Sequence, residues 1–329
     1  MRCVVIAGAV WSALWLAGCP YSVVAEGFDA RPPGRDAAVA DAAAADGAAI
    51  DRAGADRQQP DQLPVECDQD NDTYQSVACG GGDCDDNDSS VHPGAAERCS
   101  FVDENCDQQN NEGLDCTFVA CGSSVLYRID PFRQTVTQST QVTLPDSHGL
   151  LDIDIDTNGQ LMAVTANGLY AVSSSGQMSL VANVTTPTNT NGMAIDSHGA
   201  IFITNKDGVN SGAYTVDRAT GSLTLIGDLT PYVSSGDCVQ TKDDSLYMTA
   251  PNPADMSKDL LVYVDSHTAA THSIGATGFG EVYGLSASFG FLFGVTDFGD
   301  VIEIDRSTGA GRLLFHSSGL RFWGAANGD

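Results

Sequence analysis

Basic residues are scarce in this chain of 329 residues: 15 Lys and Arg stand against 43 Asp and Glu, a formal net charge of −28. That field repels phosphate backbones and anionic lipid headgroups, so nucleic acid is excluded as a partner and cations are favoured. Long apolar runs are also missing, because beyond the N-terminal segment nothing is apolar for long enough to span a bilayer. Zinc-ligand spacing is absent, with no C-x-x-C pair and no paired Cys/His pattern. The six histidines are scattered, and no Ser/His/Asp set has supporting local context. What is present is a 42% hydrophobic fraction, enough for a core, and 35 glycines, which suit a β protein with many tight turns. Ten cysteines, most of them clustered, point to an oxidising compartment.

Residues 1–18 read as a signal peptide, with Arg2 followed by an apolar stretch from Cys3 to Leu16 that is too short to cross a membrane. The run Leu16-Ala17-Gly18-Cys19 resembles a bacterial lipoprotein signal. That resemblance implies cleavage before Cys19 and acylation of Cys19; an ordinary secretory signal is the alternative. Pro20, in place of the Asp associated with inner-membrane retention, implies the outer membrane or cell surface of a Gram-negative bacterium. Acyl chains on Cys19 would then be the chain's sole contact with a membrane. Residues 19–64 are low in complexity, with Asp36, Asp41, Asp46, Asp51, Asp56 and Asp61 at every fifth position. On a helix that step turns by about 140°, so no stripe forms, and the expectation is a solvated tether.

Residues 65–116 are the conspicuous stretch. Oxygen side chains alternate three times, at Asp68/Asp70/Asp72, Asp83/Asp85/Asn87 (with Asp88) and Asp103/Asn105/Asp107 (with Glu112). A loop curled round a hard cation needs that alternation, because every second side chain can turn inward together. Apolar residues are too few for a core of this length, so staples or metals are needed. Six cysteines lie here, Cys67, Cys79, Cys84, Cys99, Cys106 and Cys116, and the sequence does not choose among their fifteen pairings. Oxygen-rich loops select calcium over softer metals.

The run Asp83-Cys84-Asp85-Asp86-Asn87-Asp88, then Val91-His92-Pro93-Gly94-Ala95, Glu97, Cys99, Asp103-Glu104-Asn105-Cys106-Asp107 and Glu112-Gly113, resembles a metal-binding motif of myxobacterial surface proteins. That family is named after a copper-binding surface protein of methanotrophs. Gln108 stands where the family usually has Gly, and Asn111 where it has Asp; Thr73 stands where related calcium loops prefer Gly. The amide at Asn111 should weaken the third loop, which leaves Asp68–Asp72 and Asp83–Asp88 as the stronger loops. Copper fits less well than calcium, since His92 is the module's one soft ligand once its thiols are oxidised.

Residues 117–329 alternate Val, Ile, Leu and Tyr with polar residues, and a repeat is visible. Taking Tyr127, Tyr170, Tyr214, Tyr263 and Glu303 as equivalent, the spacings are 43, 44, 49 and 40, the period of a four-stranded propeller blade. Each such strand follows another, at Phe118–Cys121, Leu161–Thr165, Ile201–Asn205, Leu246–Thr249 and Phe291–Val295. Candidate innermost strands are Asp152–Ile155, Gly192–Ile195, Cys238–Thr241, Gly284–Ala287 and Gly324–Asn327. The fold class expected is therefore all-β, a five-bladed propeller with six blades as the alternative, closed by the C-terminal strand entering the first blade.

At the channel mouth stand His148, Asp152, Asn191, Asp237, Glu281 and Trp323. The stretch Asn191–Asp196 is similar to one in lactonase-like propellers, which hold a divalent ion with Glu, Asn and Asp; Glu281, Asn191 and Asp237 could imitate that set. Cys121 and Cys238 could pair with each other, or Cys121 could pair back into the module, and the sequence leaves this open. The preferred reading is a surface lipoprotein whose calcium-stiffened module presents a propeller to a protein, glycan or matrix ligand. The alternatives are a metal-dependent lactonase or hydrolase, and a metal-scavenging protein.

Overall fold

The structure, a computed structural model, describes residues 67–145, 148–184, 189–206 and 211–328. The expected signal peptide, Cys19 and the Asp-rich tether lie outside the described residues. Among the described residues no helix is long and apolar enough to cross a membrane, and the helical content is one short turn at Val77–Cys79.

Among the described residues twenty strands form five antiparallel sheets of four, so the blade count is five. The second blade runs β4 (Asp152–Ile155), β5 (Leu161–Val164), β6 (Gly168–Val172) and β7 (Met178–Asn183); the third runs β8 (Thr190–Ile195), β9 (Ile201–Asn205), β10 (Gly212–Val216) and β11 (Leu223–Asp228). The fourth is β12 (Cys238–Gln240), β13 (Leu246–Asn252), β14 (Asp255–Val264) and β15 (Thr271–Ala276). The fifth is β16 (Val282–Ser288), β17 (Phe291–Thr296), β18 (Asp300–Ile304) and β19 (Gly311–His316). The first blade takes β1 (Phe118–Cys121), β2 (Val125–Asp130) and β3 (Thr135–Gln141) from one end of the domain and β20 (Gly324–Ala326) from the other. The pairing Val119 with Ala326, Ala120 with Ala325 and Cys121 with Gly324 closes the ring.

The sequence pattern explains the layering. Inner strands such as β8 and β12 are buried almost throughout, whereas outer β3 alternates between exposed and half-buried residues. The repeat positions mark a shared device. In every blade the register between third and fourth strands shifts beside them: at Leu126/Tyr127, Leu169/Tyr170, Ala213/Tyr214, Leu261/Val262 and Val301/Ile302. An extra residue on one strand bends it and increases twist, which each blade needs to fan outward from the axis. The long repeat spacing of 49 comes from the β13–β14 hairpin, whose second arm begins at Asp255, well before Tyr263.

Side chains pack between blades. Phe118 of the first blade stacks on Phe293 of the fifth at 5.5 Å, both fully buried, with Ile129, Val295 and Val301 around them. Each such phenylalanine contributes about 2–3 kcal/mol of burial. At the axis the inner strands approach closely. A Cβ on Gly324 would lie 2.7 Å from the Asp152 Cα, so only glycine fits there.

Candidate metal centre

Three disulfides fix the module, Cys67–Cys79, Cys84–Cys106 and Cys99–Cys116. They consume all six cysteines, so no thiolate remains as a soft metal ligand. Cys121 and Cys238 form neither of the bonds considered for them. Both are free and buried, and burial pushes both thiols well up.

The first loop, Asp68–Tyr74, is wound by its own carboxylates. Asp68 Oδ1 accepts the N–H of Asp72 (3.0 Å), Asp70 Oδ1 accepts the same N–H (3.2 Å), Asp68 Oδ2 accepts that of Thr73 (3.2 Å) and Asp72 Oδ1 that of Tyr74 (2.7 Å). The winding puts one oxygen from each of Asp68, Asp70 and Asp72 within 4.8 Å of the others. Thr73 pays for it with φ of +81°, a left-handed backbone that a β-branched residue adopts at a cost of roughly 1–3 kcal/mol.

The loop at Asp103–Gln109 repeats this network bond for bond. Asp103 Oδ1 and Asn105 Oδ1 accept the N–H of Asp107 (3.2 and 3.0 Å), Asp103 Oδ2 that of Gln108 (2.6 Å), and Asp107 Oδ1 that of Gln109 (2.8 Å). Gln108, like Thr73, has a positive φ, of +71°. The replacement of the family's Gly by Gln108 therefore leaves the loop's shape intact. Asn111, the other departure, is fully buried: its side chain accepts from Ser100 N–H (2.9 Å) and donates to Ser100 O (3.0 Å), a structural duty.

The middle run behaves differently. Asp85, Asn87 and Asp88 are exposed and bonded within their own turns, Asp85 to Asn87 N–H and Asp88 to Ser90. Asp83 and Asp86 are the buried members, and Asp86 Oδ1 accepts Gln69 N–H at 3.1 Å, which lays this run against the first loop. Asp70 Oδ2, Asp72 Oδ2, Asp83 Oδ2 and Asp86 Oδ2 are all buried with no donor. Desolvation, then the charges of Asp72, Asp83 and Asp68, push the Asp70 carboxyl up. The structure thus converges Asp68, Asp70 and Asp72, with the charge of Asp83 felt at Asp70 and Asp86 bonded to the backbone of the same loop. Near the third loop Asn105 donates to Glu112, whose Oε2 is buried without a donor, and Glu97 accepts the N–H groups of Asn105 (3.0 Å) and Asn111 (2.7 Å).

Residues 83–112 match the family model described as "Putative metal-binding motif". The first loop, at Asp68–Tyr74, lies outside the matched span. The donor set is oxygen-rich and poor in the soft ligands that copper favours. The orphaned atoms are carboxylate oxygens, the thiols are spent, and His92 is stacked on Tyr74 at 4.4 Å, with its Nδ1 beside Pro93 O. Among curated proteins, none matches the chain. Solved structures that resemble it include a protein of unknown function from Bacteroides caccae, at 11% identity over 63% of this chain and 76% of that one, TM-score 0.38. TolB from Acinetobacter baumannii resembles it at 15% identity over 61% and 53%, TM-score 0.41. Regucalcin from Agrobacterium tumefaciens, titled a calcium-binding protein, resembles it at 15% over 62% and 67%, TM-score 0.37. The chain thus spans between about half and three quarters of these structures.

The module is docked on the propeller. Phe101 meets Phe132 at 4.8 Å and Phe291 at 5.4 Å, both edge to face, under the Arg312 guanidinium at 5.0 Å. Arg133 donates to the carbonyls of Asn110 and Asn111, and Arg128 pairs with Asp115.

The channel residues lie in unlike surroundings. Asn191 donates to Ser234 O (3.1 Å) and accepts from Thr204 (3.2 Å), while Glu281 is exposed, with φ of +52°. Asp237 is sealed in the axis, where its Oδ2 accepts N–H groups from β16 (Leu285) and β20 (Ala325). It belongs to a set of straps between inner strands. Asp152 Oδ2 accepts Met193 N–H (2.6 Å), Asp154 Oδ2 accepts Ile195 N–H (2.7 Å), and Asn327 Oδ1 accepts Ala287 N–H (2.7 Å). Asp152 and Asp237 touch side chain to side chain, and burial raises both carboxyls far above the usual range.

Proposed function

We propose that the chain is a lipid-anchored surface protein in which a calcium-binding module stiffens the base of a five-bladed propeller that binds an extracellular protein or glycan. The observation that carries the calcium reading is the set of buried, donorless carboxylate oxygens on Asp70, Asp72, Asp83, Asp86 and Glu112. Each of these carboxylates has a donor on one oxygen and none on the buried other, an arrangement that is unfavourable unless a cation pairs with the second oxygen. An all-oxygen set on irregular loops suits calcium, whose coordination tolerates six to eight oxygens at varied angles. Asp68, Asp70, Asp72, Asp83 and Asp86 would hold one ion, and Asp103, Asn105, Asp107 and Glu112 a second, with Asp85, Asn87 and Asp88 outside both.

Thermal unfolding with calcium and with chelator tests the reading. Calcium at about a hundred times its dissociation constant should add about 2.7 kcal/mol for each site filled and raise the midpoint; an unchanged midpoint sinks it. Fatty-acid labelling of wild type against Cys19→Ser tests the anchor, and equal labelling of both would defeat it.

A further inference from the structure

We propose that the propeller's channel mouth at the start of the inner strands binds one uncharged hexopyranose ring. This rests on the reading of the propeller as a binding domain and names its ligand class.

All five blades contribute at this mouth, which is a pocket of about 190 Å³ lined by Leu151, Asn191, Ser235, Gly236, Tyr283 and Trp323. None of those side chains is charged, in a chain of net charge −28. The acidic groups beside it, Asp259 and Asp297, are engaged by Ser235, Arg321 and Trp323, so the lining offers no counter-charge to an anion and no free carboxylate to a cation, which favours an uncharged ligand. The volume is below the roughly 300 Å³ typical of sites for drug-sized ligands, which limits the occupant to about one ring. Leu151, Tyr283 and Trp323 supply an apolar surface for the C–H face of a sugar.

The polar groups have the capacity that hydroxyls need. Asn191 already uses one N–H on Ser234 O and its oxygen on Thr204, which fixes the amide and leaves one N–H free to donate. Ser235 donates to Asp259 Oδ1 at 2.7 Å, so its lone pairs are free to accept. Desolvation, with nearby acidic charges, raises the Tyr283 phenol, which therefore stays neutral and can do either. A donor, an acceptor and a group that does both match a polyol better than a flat aromatic ligand. The site is rigid. Trp323 Nε1 donates to Asp297 Oδ1 at 3.0 Å, and Asp297 is in turn gripped by Arg321. Gly236 lets Tyr283 close in, since a Cβ there would sit 3.0 Å from the Tyr283 Cα and Cβ. The opposite mouth, about 570 Å³, is lined by Asp156, Asp196 and Lys242 and does not share this neutrality.

The test uses tryptophan emission. Trp11 and Trp15 lie in the expected signal peptide, which leaves Trp323 as the sole tryptophan of the processed chain. The calcium-loaded protein is titrated with a panel of methyl α- and β-hexopyranosides, and with benzoate, indole and a hexuronate as controls. The proposal expects at least one neutral hexoside to shift the emission saturably, and Tyr283→Phe, which removes only the hydroxyl, to weaken it about tenfold. Isothermal titration of Trp323→Ala should show no binding, with the wild-type melting curve retained by Tyr283→Phe as the folding control. No response to any hexoside, a stronger response to a control, or equal affinity in Tyr283→Phe overturns it. A protein ligand captured through this face with no sugar response defeats the sugar inference alone. An absent calcium shift in the melt defeats the calcium reading and leaves the fluorescence result standing.

Discussion

Raising the pH from about 5 to about 8 should destabilise the propeller, and Asp154 should account for a measurable share of the loss. Asp154 is almost completely buried on β4, where desolvation outweighs the N–H groups it accepts from Ile155, Ile195 and Asn327 and raises its carboxyl from 3.8 to about 7. The charges facing it, on Asp237 and on Cys238 of β12, are anionic or neutral, so no cation offsets the burial. With its folded pKa raised, the native state holds the proton more tightly than the unfolded chain. Its contribution is complete below the ordinary carboxylate value and is lost as pH rises towards about 7. The two protonation equilibria differ by roughly 2.5 kcal/mol between about pH 5 and pH 8. The assay is urea unfolding at both pH values, in saturating calcium so that the module's carboxylates stay paired. In Asp154→Asn the Asn nitrogen faces an N–H, so stability at about pH 5 should fall by about 1–3 kcal/mol; at about pH 8 the loss should be smaller by the amount above, or become a gain, so that the pH difference shrinks by that amount. A variant with the wild-type pH difference would refute the reasoning, whatever its absolute stability.

Gly324→Ala should cost several kcal/mol or prevent closure of the ring, because the new Cβ would lie 2.3 Å from Asp152 Oδ1; a melting midpoint equal to wild type would contradict the close approach. Phe101→Ala should destabilise the module's seat by roughly 1–3 kcal/mol, seen as faster proteolysis around residues 99–116, since it removes two ring contacts and the surface under Arg312. Equal cleavage rates would mean that the aromatic contact does not hold the module. Alkylation should find Cys121 and Cys238 unreactive in the native protein and both reactive in denaturant without reductant, and a failure to label them in denaturant would mean that they are disulfide-bonded.

The blades were legible because two signals agree: period-two alternation, and turns such as Asp156-Thr-Asn-Gly159 that recur at a period in the forties. Phe118–Cys121, Asp152–Ile155 and Ile201–Asn205 are strands over the ranges the sequence implied, and ring closure followed from the domain's starting on a second strand and ending on a first. The outer half of the β13–β14 hairpin was not legible, because Asp255–Lys258 are polar and the arm buries no alternating face. Disulfide pairing was hidden for a similar reason, since cysteines 12 to 22 residues apart meet through loop geometry and not through a local period.

The candidate site was legible along each loop and obscure between loops. Alternation identified Asp68, Asp70 and Asp72 and the matching Asp103, Asn105 and Asp107. It could not show that Asp83 and Asp86 turn towards the first loop, or that Glu97 supports the third, because Asp86 and Glu97 come from outside the alternating frame and alternation along Asp83–Asn87 does not say which loop Asp83 faces. The three-residue step from Asp83 to Asp86 was the available signal. The seat of the module went unseen as well. Phe101, an aromatic residue in a nearly apolar-free segment, was the clue, and Phe132 and Phe291 are its partners.

The most direct measurement is the metal content of the processed protein, purified without chelator and assayed by elemental mass spectrometry, with Asp70→Asn/Asp72→Asn alongside. The account predicts about two calcium ions per chain, falling to about one in the double variant, with copper at background. Copper at stoichiometric level, no bound divalent ion, or an unchanged count in the variant would contradict it.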